Sequence, residues 1–236
     1  MRIFALGDLH FSFDAQGVEY KPMDIFGFKW ENHAQKIEEN WHKTVSQDDV
    51  VLVPGDISWA LKLEEAIYDL NFLGKLPGLK IIVKGNHDLW WQSLTKVRGV
   101  LPPQTVALQN NHVLLENGIA ICGTRGWDCP GSINYNVPDD EKVYKREVHR
   151  LRLSLESVKE EVREIIVMLH YPPTNNKHEL SGFIELLLEY KVKTCIYGHL
   201  HSDAIKNALP EEKWGINFHL VSADAVNFSP KLIYLD

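Results

Sequence analysis

The chain has little cysteine: Cys122, Cys129 and Cys195 are the only three in 236 residues. The number is odd, no pair has C-x-x-C spacing, and two of the three sit inside apolar runs. Buried, reduced thiols in a cytosolic protein are therefore expected, not a disulfide framework. A chain of this length buries about three quarters of its unfolded surface and needs no such staples. Long hydrophobic runs are also missing, and nothing approaches the roughly 18 apolar residues of a membrane span. The first residues do not read as a secretory leader. Arg2 is a lone positive charge, the apolar stretch at 3–6 is short, and Asp8 and His10 follow at once. The start is thus expected to belong to the fold, with a cytoplasmic location and no membrane partner. Positive charge is scarce as well, since 25 Lys and Arg face 32 Asp and Glu for a net −7. Long nucleic acid rewards spread-out Lys and Arg, so it is disfavoured as a default partner, while a locally positive pocket stays open. With no repeat, low-complexity tract or linker, one domain over residues 1–236 is expected.

What is present has the composition of a globular protein, 44% hydrophobic and 24% charged. Short apolar, β-branched runs at 2–7, 50–54, 79–83, 119–122, 165–169 and 194–197 read as buried strands bounded by turn signals. Helical patterns lie between them at 32–45, 61–73, 90–97, 141–162 and 178–189. Such alternation predicts an α/β fold with mostly parallel pairing. Residues 216–221 and 231–235 look like further strands without helices between them, which predicts a second, more antiparallel part. Two long irregular stretches remain, 11–30 with six aromatics and 123–138 with Arg125, Trp127 and Tyr135. Ordered loops of this length are either functional or packed over a core edge.

Polar residues stand where the apolar runs end. Asp8 and His10 follow the first, Asp56 the second, and Asn86, His87 and Asp88 the third. His170 follows 165–169, and His199 and His201 follow 194–197. In open α/β sheets ligands bind at the carboxyl ends of strands, so these five groups should converge on one edge. Four of the five turns carry Gly just before the first polar residue, at Gly7, Gly55, Gly85 and Gly198, which permits tight turning and close approach. Any one of these pieces alone is a common turn or a packed histidine; five in order are a site. The other six histidines, His33, His42, His112, His149, His178 and His219, read as surface or packing residues.

Imidazole together with carboxylate and amide oxygen suits Mn, Fe or Zn better than Ca. Two divalent ions are expected, with Asp56 as the natural carboxylate to bridge them. Two such ions, Asp8, Asp56 and a bridging hydroxide leave a formal charge of about +1. That field suits a phosphate ester, whose attacking and leaving oxygens two metals can clamp.

The motifs D-L-H at 8–10, G-D at 55–56, G-N-H-D at 85–88, His170 and G-H-L-H at 198–201 resemble those of the calcineurin-like metallophosphoesterase superfamily. The resemblance implies a four-layer α/β/β/α sandwich with two mixed β-sheets packed face to face. It places Asp8, His10, Asp56 and His201 on a first metal, and Asp56, Asn86, His170 and His199 on a second. His87 would face the substrate as transition-state stabiliser and proton donor to the leaving oxygen. Asp88 would either support the ligands from behind or cap the following helix. The superfamily's protein phosphatases carry G-D-x-x-D-R-G, but here Trp59 and Ala60 stand at the Asp and Arg positions. The chain resembles instead the small bacterial-type hydrolases, which act on diesters, pyrophosphates or nucleic acids.

The leading expectation is a hydrolase of a small phosphorylated substrate, a phosphodiester or a nucleotide-like molecule. Arg125, Trp127, Phe26 and Trp30 are candidate substrate contacts. The aromatics of 11–30, with Trp90, Trp91 and Trp127, either form a stacking surface for a base or pack loop onto core. A nuclease is the alternative, and the loops near the motifs offer it only Lys29, Lys84 and Arg125. A non-catalytic metal-binding scaffold would be marked by missing ligands or a lost His87, and none is missing.

Overall fold

The computed structural model describes residues 1–133 and 135–236. Four parallel strands, β1 (Arg2–Ala5), β2 (Val50–Val53), β3 (Leu79–Ile82) and β4 (Thr105–Ala107), lie side by side in chain order. The last strand, β11 (Lys231–Leu235), closes this sheet antiparallel to β1. The second sheet has the order β5 (Val113–Leu114), β6 (Ile119–Thr124), β7 (Glu164–Leu169), β8 (Thr194–Tyr197), β10 (Ile216–Leu220) and β9 (Glu212–Lys213). Its four central strands are parallel and its short edges antiparallel.

The two sheets pack face to face. Ile3, Ala5, Leu52 and Ile81 from one meet Ile121, Ile166, Met168 and Ile196 from the other in a single apolar cluster. The alternate residues point outward beneath helices. Phe4, Val51 and Val53 lie under Ile37 and Trp41 of α1 (His33–Thr44) and Leu70 of α2 (Leu63–Lys75). Cys122, Val167 and Cys195 lie under Leu151 of α4 (Asp139–Glu156) and Phe183 of α5 (Gly182–Glu189). Burial on both faces is why the central strands read as unbroken apolar runs. The result is the four-layer α/β/β/α sandwich with two mixed sheets. The three cysteines are free and buried. None of the helices is long and apolar enough to cross a membrane among the described residues.

Several boundaries differ from expectation. The helix anticipated at 90–97 is only α3 (Leu94–Arg98), started by the Ser93 hydroxyl, which accepts from Lys96 N at 3.5 Å. Trp90 and Trp91 sit in the turn before it with their rings in the core, so they offer no stacking surface. Helix α4 starts at Asp139, where three acidic side chains meet the positive end of the helix dipole, and stops at Glu156. Helix α5 begins only at Gly182, after the Ser181 hydroxyl accepts from Ile184 N at 3.2 Å. The expected separate antiparallel part is absent among the described residues, because β10 joins β8 in parallel and β11 crosses back to β1. Alternation of side chains reveals a strand but not its neighbour.

The stretch 11–30 is ordered. It carries two 3-10 turns, Met23–Phe26 and Phe28–Trp30, and buries Phe11, Met23 and Trp30 in the core. Of the stretch 123–138, Gly123 and Thr124 belong to β6, and Asn134 lies outside the described residues.

Candidate metal centre

Strands β1, β2, β3, β7 and β8 all point their carboxyl ends at one edge of the sandwich, and the polar residues after them meet there. The backbone bends sharply to achieve this. Asp8, His10, Asp56 and His199 adopt positive φ of 57°, 48°, 51° and 71°. Such a conformation costs a non-glycine residue on the order of 1–3 kcal/mol and persists only where the surroundings over-determine it. Here they do: Asp8 N donates to Gly55 O at 3.0 Å and His10 N to Asp56 O at 2.9 Å. Two of the turn glycines are required by close approach. A Cβ on Gly85 would collide with the Asp56 carboxylate, and one on Gly198 with the carboxylate of Asp8.

Four donors converge on one point. Asn86 Oδ1 lies 2.7 Å from His170 Nε2 and 3.0 Å from His199 Nδ1, and the two imidazole nitrogens are 3.3 Å apart. Asp56 Oδ2 stands 3.5 Å from His170 Nε2. His170 Nδ1 donates to the Pro54 carbonyl at 2.9 Å, which turns Nε2 toward the group. Beside it, Asp8, His10 and His201 offer a second group of ligand atoms within 4.8 Å of one another. Asp8 Oδ1 is 3.4 Å from His201 Nε2, and Asp56 Oδ2 is 3.8 Å from His10 Nε2. The Asp56 carboxylate therefore reaches both groups. Asp8 does so too, since it forms a further candidate group with Asp56 and His170.

The donor chemistry fits divalent cations. Asp8 and Asp56 are 0% and 1% exposed, two carboxylates with no Lys or Arg paired to them among the described residues. Burial, then Asp88 and Asp8, push the Asp56 carboxyl well above its usual range. Burial keeps His10, His170 and His199 neutral, lowering His199 to about 3, and neutral imidazole is the form that ligates metal. His10 Nδ1 is buried without a hydrogen-bond partner. His201 differs, because burial is outweighed by Asp8 and Asp224, which raise it to about 10. The same contacts hold Asp8 well below the carboxylate range against the opposing effect of burial. By these contacts His201 keeps its proton at neutral pH, and a cation taking Nε2 must displace it.

His87 belongs to neither donor group. Its backbone N–H donates to Asp56 Oδ1 at 2.8 Å, and its ring packs 4.5 Å from that of Trp59. Burial, followed by His170 and Lys21, lowers its pKa, so it is a neutral imidazole at pH 7. Phe26 and Trp30 border the same cavity as His87. Arg125 and Trp127 do not. Arg125 lies over the Trp127 ring and 3.5 Å from the buried Glu147, and Trp127 Nε1 donates to Asp140 at 2.9 Å.

Sequence reasoning missed three supporting residues, Asp224, Asp69 and Tyr171, and left Asp88 between two roles. Asp224 accepts from His201 Nδ1 at 2.8 Å and from Ser202 N at 2.9 Å. Its signal was available, since it comes after the strand at 216–220 just as the ligand candidates come after theirs. Asp88 does not cap α3, whose N-cap is Ser93, and takes the supporting role instead. Its oxygens accept from Ile57 N, Ser58 N, Gly85 N and Trp90 Nε1 at 2.7–3.1 Å, which ties the two ligand-bearing loops together. Asp69, on α2, accepts from Phe13 N at 2.7 Å and from the Ser58 hydroxyl, anchoring the loop 11–30 to the same frame. Tyr171 packs on the His199 ring at 4.1 Å. No local signal marked Asp69 or Tyr171, because their partners are distant in sequence.

A family model described as calcineurin-like phosphoesterase matches residues 1–203. The chain belongs to that family and is a metal-dependent phosphoesterase, a hydrolase of ester bonds. It is similar in fold to the protein of unknown function AQ665 from Aquifex aeolicus, at 14% identity and a TM-score of 0.52, covering 98% of this chain and 95% of that one. It is similar as well to TT1561 of Thermus thermophilus, at 12% identity and a TM-score of 0.57, covering 98% of each. At such identities the likeness concerns the fold alone. No curated protein matches the chain significantly in sequence.

Proposed function

We propose that the chain hydrolyses a small phosphodiester or nucleotide-like phosphate ester with two divalent metal ions, of the Mn, Fe or Zn type. One ion would be held by Asp8, His10, Asp56 and His201, the other by Asp56, Asn86, His170 and His199. The observation that carries this reading is the position of Asp56 Oδ2, within 3.8 Å of His10 and 3.5 Å of His170. When bound, two such ions neutralise the phosphoryl oxygens and make a water acidic enough to serve as nucleophile at neutral pH.

The chain's own residues supply the rest. Pro54 and Asp224 orient His170 and His201 through their Nδ1 atoms. Asp88 holds the Asp56 and Asn86 loops at fixed separation. His87, neutral and beside the donor groups, donates its ring N–H as a hydrogen bond to the departing oxygen. A nuclease is disfavoured, because the basic residues near the motifs are largely engaged: Lys29 donates to the Asp224 carbonyl, Arg125 sits against Glu147 and Lys21 lies over the Trp59 ring. The test is metal analysis of purified protein together with hydrolysis of generic mono- and diesters in Mn²⁺, Ni²⁺, Fe²⁺ and Zn²⁺. Close to two ions per chain and metal-dependent diester hydrolysis are expected. A metal-loaded protein inert toward every ester would overturn the reading.

A further inference from the structure

Two unlike cavities flank the donor groups, divided by the loop after β8. His201 and Ser202 face a 160 Å³ cavity, while His199 and Leu200 face another of 330 Å³. The smaller is walled by Met23, Phe26, Trp30 and Trp59 and reaches His10 and His87. Its Phe26 and Trp59 rings lie parallel to within 8°, their centroids 6.4 Å apart, and Phe26 is 51% exposed. The larger is lined by Asp128, Ser132, Thr174, Asn175 and Asn176 beside His199. Among the described residues no Lys or Arg lines either cavity, and the ammonium of Lys21 lies 3.3 Å over the Trp59 ring.

Resting on the diesterase reading above, we infer that the substrate is a singly charged phosphodiester with two unlike arms. The arm that leaves carries a planar aromatic group, held between Phe26, Trp30 and Trp59. The arm that stays on phosphorus is neutral and hydroxyl-rich, held by the Ser132 hydroxyl and the Asn176 and Asn207 amides beside His199. His87 fixes the direction, because it opens into the aromatic cavity and so meets the ester oxygen of that arm. In the larger cavity no cation lines the wall among the described residues, which argues against a second phosphate on that arm, whose charge would face Asp128 unpaired. In the reaction a water oxygen forms the new bond to phosphorus and the P–O bond to the aromatic arm breaks. The leaving oxygen takes up a proton released by the attacking water, giving an aromatic alcohol and a polyol monophosphate.

The test uses a diester of glycerol and 2-(4-nitrophenyl)ethanol, whose two alkoxides leave about equally well without help. With the Mn²⁺-loaded protein, nitrophenylethanol and glycerol phosphate are expected in at least about tenfold excess over the opposite pair of products. An even split, or release of glycerol, overturns the assignment. Phe26→Ala should lower the ratio of kcat/KM for this diester over that for bis-glycerol phosphate by roughly five- to 150-fold, the range of a lost aromatic stack, and Phe26→Tyr should restore it. An unchanged ratio in Phe26→Ala overturns it as well. Binding can be read without turnover. Nitrophenylethanol should quench tryptophan fluorescence more weakly in Phe26→Ala than in the parent, whereas equal quenching counts against the cavity. If bis(4-nitrophenyl) phosphate also goes uncleaved, the diesterase reading falls and takes this one with it. Cleavage at the wrong bond sinks this one alone.

Discussion

Asp224 accepts a hydrogen bond from His201 Nδ1 at 2.8 Å, leaving Nε2 of the same ring 3.4 Å from Asp8. The carboxylate thereby sets which nitrogen of His201 is available to a metal and how the ring is turned. It binds the loop as well, through Ser202 N at 2.9 Å. Partners of this kind typically account for 10- to 100-fold in metal affinity. Asp224→Asn is expected to weaken binding of the ion at Asp8, His10 and His201 by about that factor, while Asn86, His170 and His199 keep theirs. Stepwise metal titration followed by calorimetry separates the two. Equal weakening of both sites would reject the assignment.

The Asp56 carboxylate reaches both donor groups through Oδ2 while its other oxygen holds the His87 backbone. Asp56→Asn should therefore remove most of the bound metal and most of the activity together. Full metal content with normal turnover would show that Asp56 does not bridge.

His87 is proposed to serve the leaving oxygen and not to hold metal. General acid assistance is worth about 10²- to 10⁴-fold when the leaving group needs it. A nitrophenolate leaves without help, while an alkoxide does not. His87→Asn should keep both ions, slow an alkyl ester severely and slow a nitrophenyl ester much less. His199→Asn should instead lose metal and slow both esters alike. Loss of metal in His87→Asn, or equal damage to both esters, would contradict the acid role.

Asp69 gives a pH dependence with a definite sign. Burial is the dominant cause that raises it to about 7 from 3.8, against the opposing bonds from Ser58 and Phe13. Between pH 4 and 7 the folded chain thus holds a proton that the unfolded chain has released, and its contribution to stability falls as pH rises through that window. The rise from 3.8 to about 7 corresponds to roughly 4 kcal/mol at most. Asp69→Asn should flatten the slope of unfolding free energy between pH 4 and 7, as read by urea melts at several pH values. An undiminished slope would place the titration elsewhere.

Much of the site was legible because it depends on local facts. A strand buried on both faces must be an unbroken apolar run, and the residue after it, often behind a glycine, is the first that can be polar. Collecting those residues yields Asp8, Asp56, Asn86, His170 and His199, and the sheet order then carries them to one edge. The same rule reaches Asp224, which stands just beyond β10 and was overlooked because no imidazole or glycine motif marks that turn.

The sequence by itself determined where the buried central strands lie, which residues end them and what metal chemistry those residues suit, since each depends on composition and spacing within a few residues. The short strands β4, β5 and β9 carry no such apolar run. Only the tertiary structure decided that β11 crosses back to β1, because register and partner are set by faces that meet across the whole chain. It alone turned Trp90 and Trp91 into core and left Phe26 beside His87. It alone brought Asp88 and Asp69 beneath the loops they brace. Those carboxylates act through backbone N–H groups, which nearly every residue possesses, so no side-chain pattern records the pairing. The left-handed turns at Asp8, His10, Asp56 and His199 have the same origin: each is a local cost held in place by contacts from elsewhere in the fold.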